Sequence, residues 1–280
     1  EMSVNWRHIL DDMRYSFGVN AAYNKNTMTY IGNEDKVLPG ASWAVSGMIT
    51  RAEEGLPIAY FYGYQTDGIF QNQAEIFQHI GSTGQVLQPQ AKPGDVRFVD
   101  FNGDGVLNED DRTMIGNPTP DWTVGLNGSI DYKNFDFTFL FTGALGHEIF
   151  NGSQRQDLSY TNRTTDILDR WTGEGTSDEV PRFTWLDSNN NYRVSDLYVE
   201  DGSFVRLKNI QLGYRLPDNF LKRIGASAWR FYVSAENLIT FTNYSGADPE
   251  IGAMSSFDIG IDRGIYPQAR TFRLGTSITF

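Results

Sequence analysis

Seven stretches of this chain alternate apolar and polar residues with a period of two, the pattern of a β-strand that is greasy on one face and wet on the other. The last, residues 271–280, is the most regular. Phe272, Leu274, Ile278 and Phe280 share one face with Thr276, while Arg273, Gly275, Ser277 and Thr279 share the other. Such a strand, ended by an aromatic residue, fits the closing strand of a transmembrane β-barrel, with lipid outside and a wet lumen inside. A half-buried strand of a soluble sandwich alternates in the same way, so the rest of the chain has to decide.

The expected strands lie near 2–8, 13–24, 121–131, 135–145, 203–215, 227–238 and 268–280. In 13–24, Tyr15, Phe17, Val19, Ala21 and Tyr23 oppose Ser16, Gly18, Asn20 and Asn24. In 135–145 a phenylalanine stands at every second position from Phe135 to Phe141. Most of these stretches reach the roughly 9–11 residues that a tilted membrane strand needs. Their connectors alternate: short at 9–12 and 132–134, medium at 216–226, and long at 25–120, 146–202 and 239–267. Bacterial barrels have short periplasmic turns and long extracellular loops, whereas a sandwich has no reason to sort its loops by length. The reading is therefore an all-β chain, an antiparallel transmembrane barrel whose three long loops are extracellular and whose C-terminus is periplasmic.

Seven strands are odd in number, and single-chain bacterial barrels have an even number, roughly 8 or more. Residue 1 falls inside a strand pattern (Met2, Val4 and Trp6 against Ser3, Asn5 and Arg7), and the chain itself carries no signal-peptide pattern. The chain is thus expected to be the C-terminal piece of a larger barrel. No run of apolar residues is long enough for a membrane helix, which does not bear on a barrel. A net charge of −12 argues against nucleic acid as a partner, because phosphates need Lys and Arg to neutralise them. The absence of cysteine removes thiol chemistry, disulfides and Cys-based zinc sites.

One segment has the order of a calcium loop. Asp100, Asn102 and Asp104 take its first, third and fifth positions, Gly105 the sharp turn at the sixth, the Val106 carbonyl the seventh and Asn108 the ninth. Asp111 stands at the twelfth, where a longer glutamate is usual. Oxygen donors at alternate positions of a coiling loop converge on a hard cation, so a structural Ca²⁺ is the expectation; an ion-free turn held by side chain-to-backbone hydrogen bonds is the alternative.

His8, His79 and His147 share no ligand spacing, and no nucleophile elbow, zincin or P-loop motif occurs, so no catalytic residue is assigned and an enzyme is not expected. Trp43, Tyr64, Trp171 and Trp185, in the long loops, are candidates to stack on sugar rings or a peptide. Aromatics of long loops also form the small cores that hold such loops in shape.

The residues from Gly63 to Gln71, Asp100 to Leu107, Asp111-Arg112 and Ile115 to Pro120 resemble SusC/RagA-type TonB-linked outer-membrane transporters. Phe204 to Tyr214, Glu236 to Leu238, Tyr244 to Glu250 and Tyr266 to Gln268 with Arg270-Thr271 match the same family, in order along the chain. Ala269 departs from the pattern, which usually has proline there. The resemblance implies a barrel of about 22 strands with an N-terminal plug and a TonB box upstream of residue 1. It also implies a SusD-like surface lipoprotein as partner and TonB-dependent import of oligosaccharides. Peptide import in the same family, or a surface binding or adhesion protein that transports nothing, are the alternatives.

Overall fold

The computed structural model describes all 280 residues except 44–46, 155–161 and 254. Seven long strands build one antiparallel sheet: β1 (Met2–Leu10), β2 (Met13–Tyr23), β3 (Trp122–Tyr132), β4 (Phe135–Leu145), β5 (Phe204–Arg215), β6 (Ala228–Thr242) and β7 (Thr271–Thr279). Each pairs with its neighbour in sequence, so the sheet is a meander. Compared with the expected ranges, β1 runs two residues further to Leu10, β6 four further to Thr242, and β7 starts three later at Thr271. Two-residue turns join β1 to β2 and β3 to β4, with Asp11 and Lys133 in the left-handed region at φ 45° and 52°. The connector from β5 to β6 carries the short helix α1 (Asp218–Ile224), closed by Gly225 at φ 71°. Among the described residues no helix is long and apolar enough to cross a membrane.

The register decides which residues share a face, since directly opposed partners point the same way. Trp6, Phe17 and Gly128 stand in one row with Phe139 and Ile210; Val4, Val19, Leu126 and Phe141 stand in the next. Val233 and Leu274 continue the surface from Leu212. The result is one apolar face across all seven strands, and it is bare: Trp6 is 54% exposed, Phe272 72% and Leu274 82%. A contiguous greasy surface of this extent needs lipid or protein against it. The opposite face carries Ser16 against Ser129 (2.8 Å between hydroxyls), and Asp136 takes both Nε (3.0 Å) and Nη2 (2.5 Å) of Arg230. That ion pair reaches across β5 over Gly213, where a Cβ would lie 2.4 Å from Asp136 Oδ2. Any side chain at 213 would push the pair apart.

The ladder is interrupted once along β5. Asn209 pairs with Leu140 and Glu236, Leu207 with Phe141 and Ile239, and Lys208 is left over in a β-bulge. On β6, Asn237 absorbs the irregularity at φ 51°. The extra residue reverses the alternation beyond it, so Leu207 and Val205 join the apolar face and Arg206 turns to the polar one.

All three long connections leave from the end of the sheet opposite the short turns, and they fold together as a cap. The first supplies a sheet of Val37–Pro39, Thr50–Glu53, Tyr60–Gly63 and Thr113–Gly116. Glu148–Asn151 and Val199–Asp201 of the second pair up, and Glu148–Asn151 is joined in parallel by Ile261–Asp262 of the third. One core cluster draws on all of them: Trp43, Ile49 and Phe61, then Phe150, Val194 and Tyr198, then Ile261. Its rings are in contact, with centroids 4.9 Å apart for Trp43 and Tyr198 and 5.4 Å for Trp43 and Phe150.

Candidate functional site: the cap, its acidic turn and its anchor

Residues 100–111 coil as their sequence order suggests. Asp100 accepts the N–H groups of Gly103 (through Oδ1) and Gly105 (through Oδ2), both at 2.8 Å. Asn102 Oδ1 accepts from Asp104 N and Asp104 Oδ1 from Val106 N, again at 2.8 Å. Gly105 makes the sharp turn at φ 85°. Asn108 caps the short helical turn Glu109–Asp111. Asp111, fully buried, ties the two ends together: Oδ1 accepts from Phe101 N at 2.9 Å and Oδ2 from Asn108 N at 2.8 Å. The donor set is all oxygen, which suits a hard cation. The carboxylates of Asp100, Asp104 and Asp111 rest on backbone N–H groups, and among the described residues no three acidic or histidine side chains gather as a metal-holding group. The residues fit Ca²⁺ in kind and order.

Next to this turn, Arg112 Nη2 donates to the carbonyls of Met48 and Tyr62, and Tyr62 is held between two guanidinium groups, Arg51 at 3.7 Å and Arg112 at 4.3 Å from its ring centre. The acidic turn is thereby fixed to the sheet of the cap.

The anchor between cap and wall was not apparent from the sequence. Arg206, aimed inward by the bulge and 2% exposed, donates to Asp248, to Glu250 Oε2 at 2.8 Å and, through Nε, to Thr240 Oγ1 at 2.8 Å. Lys208 adds a second cation on Glu250 at 2.7 Å. Asp248 also accepts the N–H groups of Glu250 at 2.9 Å and Gln268 at 2.8 Å. Burial opposes the charge on Asp248, yet Arg206 and these two N–H groups outweigh it and hold the carboxyl below its usual 3.8.

No family model matches the chain. Along its whole length it is 37% identical to TonB-dependent receptor P3 of Formosa agariphila and 28% identical to TonB-dependent receptor SusC of Bacteroides thetaiotaomicron. Among solved structures, 99% of the chain superposes on the RagAB peptide importer in its open-open state with a TM-score of 0.72 at 21% identity. The chain belongs with the SusC/RagA-type TonB-dependent receptors. It spans 28% of the length of receptor P3 and 28% of the RagAB chain.

In this SusC/RagA-type segment the quoted motifs acquire physical roles. The stretch from Phe204 to Asn209 is the bulge that aims Arg206, the acidic pair Asp248 and Glu250 receives it, and Gln268 closes the same knot. Tyr244 donates to the buried Asp262 at 2.7 Å, which pins the third connection a second time.

Two of the four candidate stacking aromatics are corrected by their burial. Trp43 is 2% exposed, with its indole N–H on the Gly152 carbonyl at 2.9 Å, and Tyr64 is packed on Val96 and Phe98. Their faces are used up by the cap core, so neither presents a ring to a ligand. Trp171 is partly buried, donates to Gln71 Oε1 at 3.1 Å and lies over Gly94. Trp185 stands free at 72% exposure, edge-on to Phe183 at 5.5 Å. A cavity of about 540 Å³ in the cap is lined by Thr66, Arg163, Asp178, Tyr192 and Glu200 among others, and none of the four aromatics reaches it.

Burial pulls the imidazoles of His79 and His147 below their usual 6.5. They are protonated more readily in the unfolded chain, so their contribution to the cap is whole above pH 6.5 and declines below it. Asp248 has a lowered folded value, so its contribution is whole above 3.8 and is lost as the pH falls through that lowered value. Protease resistance of the cap should therefore fall in two stages on acidification, and His79→Gln with His147→Gln should remove the first. A single loss confined to the acid stage would show that the histidines take no part.

Proposed function

We propose that this chain is part of the wall and the extracellular cap of an outer-membrane barrel that imports oligosaccharides with energy from TonB, under a SusD-like surface lipoprotein. One observation carries the reading: a seven-stranded meander bare and apolar on one face, with every long connection gathered into one folded cap at one end. A membrane wall tolerates no open edge, so β1 and β7 need further strands to close the barrel. The cap would face the lipoprotein and the cargo, with the exposed Trp185 the aromatic best placed to stack on a sugar ring and the partly buried Trp171 the second candidate. Import of peptides is the second reading, favoured by the likeness in fold to the RagAB peptide importer. Cells lacking the whole receptor should lose uptake of labelled oligosaccharides, and collapsing the proton-motive force should have the same effect in the parent. Undiminished oligosaccharide uptake with lost peptide uptake would select the second reading.

The same reading includes a structural Ca²⁺ held by Asp100, Asn102, Asp104, the Val106 carbonyl and Asp111, with Asn108 through water. The ion would neutralise carboxylates that otherwise repel one another and stiffen the first connection. Calorimetry should detect Ca²⁺ binding to the full receptor, and Asp104→Ala should abolish it and expose the turn to protease while leaving the wall folded. Absence of binding heat in the parent would eliminate the ion and leave the turn held by the backbone N–H groups on Asp100, Asn102, Asp104 and Asp111.

A further inference from the structure

The chain contains three asparagines followed by glycine: Asn102, Asn127 and Asn151. Glycine at the next position leaves its backbone nitrogen unhindered as it approaches the side-chain amide carbon. The three sites differ in their surroundings. Asn127 lies within β3, paired on both sides. Asn151 is 2% exposed, and its Nδ2 donates to Glu200 Oε1 at 2.8 Å and Ser245 Oγ at 3.3 Å. Asn102 and Gly103 are exposed, with Gly103 at φ 74° and no atom within 4 Å of where its Cβ would stand.

Two of the hydrogen bonds around Asn102 are those an acyl transfer needs, a base on the nucleophile and a donor to the oxyanion. The Gly103 N–H, whose nitrogen would attack, donates to Asp100 Oδ1 at 2.8 Å. Asn102 Oδ1, where negative charge would develop, accepts from the Asp104 N–H at 2.8 Å. Asn102 Nδ2, the leaving nitrogen, donates to Asp104 Oδ2 at 3.2 Å. A proton acceptor on the nucleophile, an oxyanion donor and a carboxylate beside the leaving group thus surround one amide.

We propose that Asn102 is a site of self-catalysed deamidation. Gly103 N bonds to Asn102 Cγ while its proton passes by way of Asp100 to water. The oxyanion is held by the Asp104 N–H, the bond from Cγ to Nδ2 breaks, and the nitrogen departs as ammonia after taking a proton from water. The resulting succinimide takes up one water. Opening at Cγ gives aspartate at position 102, and opening at the backbone carbonyl gives isoaspartate. Water is the only co-reactant, and nothing is oxidised or reduced. The consequence rests on the calcium reading: aspartate adds a carboxylate at the third position of the loop, isoaspartate lengthens the backbone there and breaks the coil, and a bound Ca²⁺ would hold Asn102 away from reaction.

The test is peptide mass analysis of the full receptor aged at mildly alkaline pH, with chelator or with Ca²⁺, and of the same protein aged in urea. With chelator, amide loss at Asn102 should exceed that at Asn127 and Asn151 by about a hundredfold, the low end of what a positioned general base contributes. It should also be faster in the folded protein than in urea, and Asp100→Asn should slow it. Conversion at Asn102 no faster than at the other two sites, or no faster folded than unfolded, would overturn the proposal. Slowing by Ca²⁺ supports the calcium reading; a rate that Ca²⁺ leaves unchanged sinks that reading alone, and the deamidation stands.

Discussion

Arg206→Ala is expected to release the third long connection from the wall. Arg206 is 2% exposed and joins β5 to Asp248, Glu250 and Thr240, so its loss leaves a buried carboxylate without its cation. Breaking a buried pair from one side costs about 3–5 kcal/mol. The loss should appear locally, as protease cleavage within residues 243–270, before any change in the strands. Arg206→Lys should recover only part of the stability, because an ammonium cannot replace a planar fork that reaches three oxygens at once. Parent-like protease resistance in the alanine variant would mean that Tyr244 and Asp262 hold the connection without the arginine.

Phe150→Ala should loosen all three connections together. Phe150 is fully buried, 5.4 Å from Trp43, 5.9 Å from Phe61 and 5.5 Å from Tyr198, and its backbone pairs with Ile261. Emptying a buried phenylalanine site costs about 3–5 kcal/mol. Hydrogen exchange should quicken in the first, second and third connections at once while β3 and β4 keep their protection. Faster exchange confined to residues 146–203 would contradict a shared core.

What could be foreseen from the residues followed from how local the cause was. The strand 135–145 is found where its phenylalanines placed it, because a period of two is written in consecutive residues. Only the end of β5, from Ile210 onward, shows clean alternation in sequence; the bulge at Lys208 shifts the period before that, and the shift at Asn237 hid the last four residues of β6. The cap was opaque for another reason. Its strands are two to four residues long, too short to carry a period, and its core joins Trp43 to Ile261 across most of the chain. The acidic turn was legible because its hydrogen bonds link residues a few positions apart. The Arg206 anchor spans 42 residues to Asp248, and a sequence shows such charges without showing that they meet.

The proposed topology is seven consecutive membrane strands with the cap outside and the short turns inside. Ser188 lies in the cap and Asp218 in the connector at the other end, both are exposed, and these 280 residues contain no cysteine. In the full receptor on intact cells, a membrane-impermeant thiol reagent should label Ser188→Cys and leave Asp218→Cys unlabelled until the outer membrane is opened. Labelling of Asp218→Cys with Ser188→Cys protected would contradict the orientation, and labelling of both would contradict the membrane wall itself.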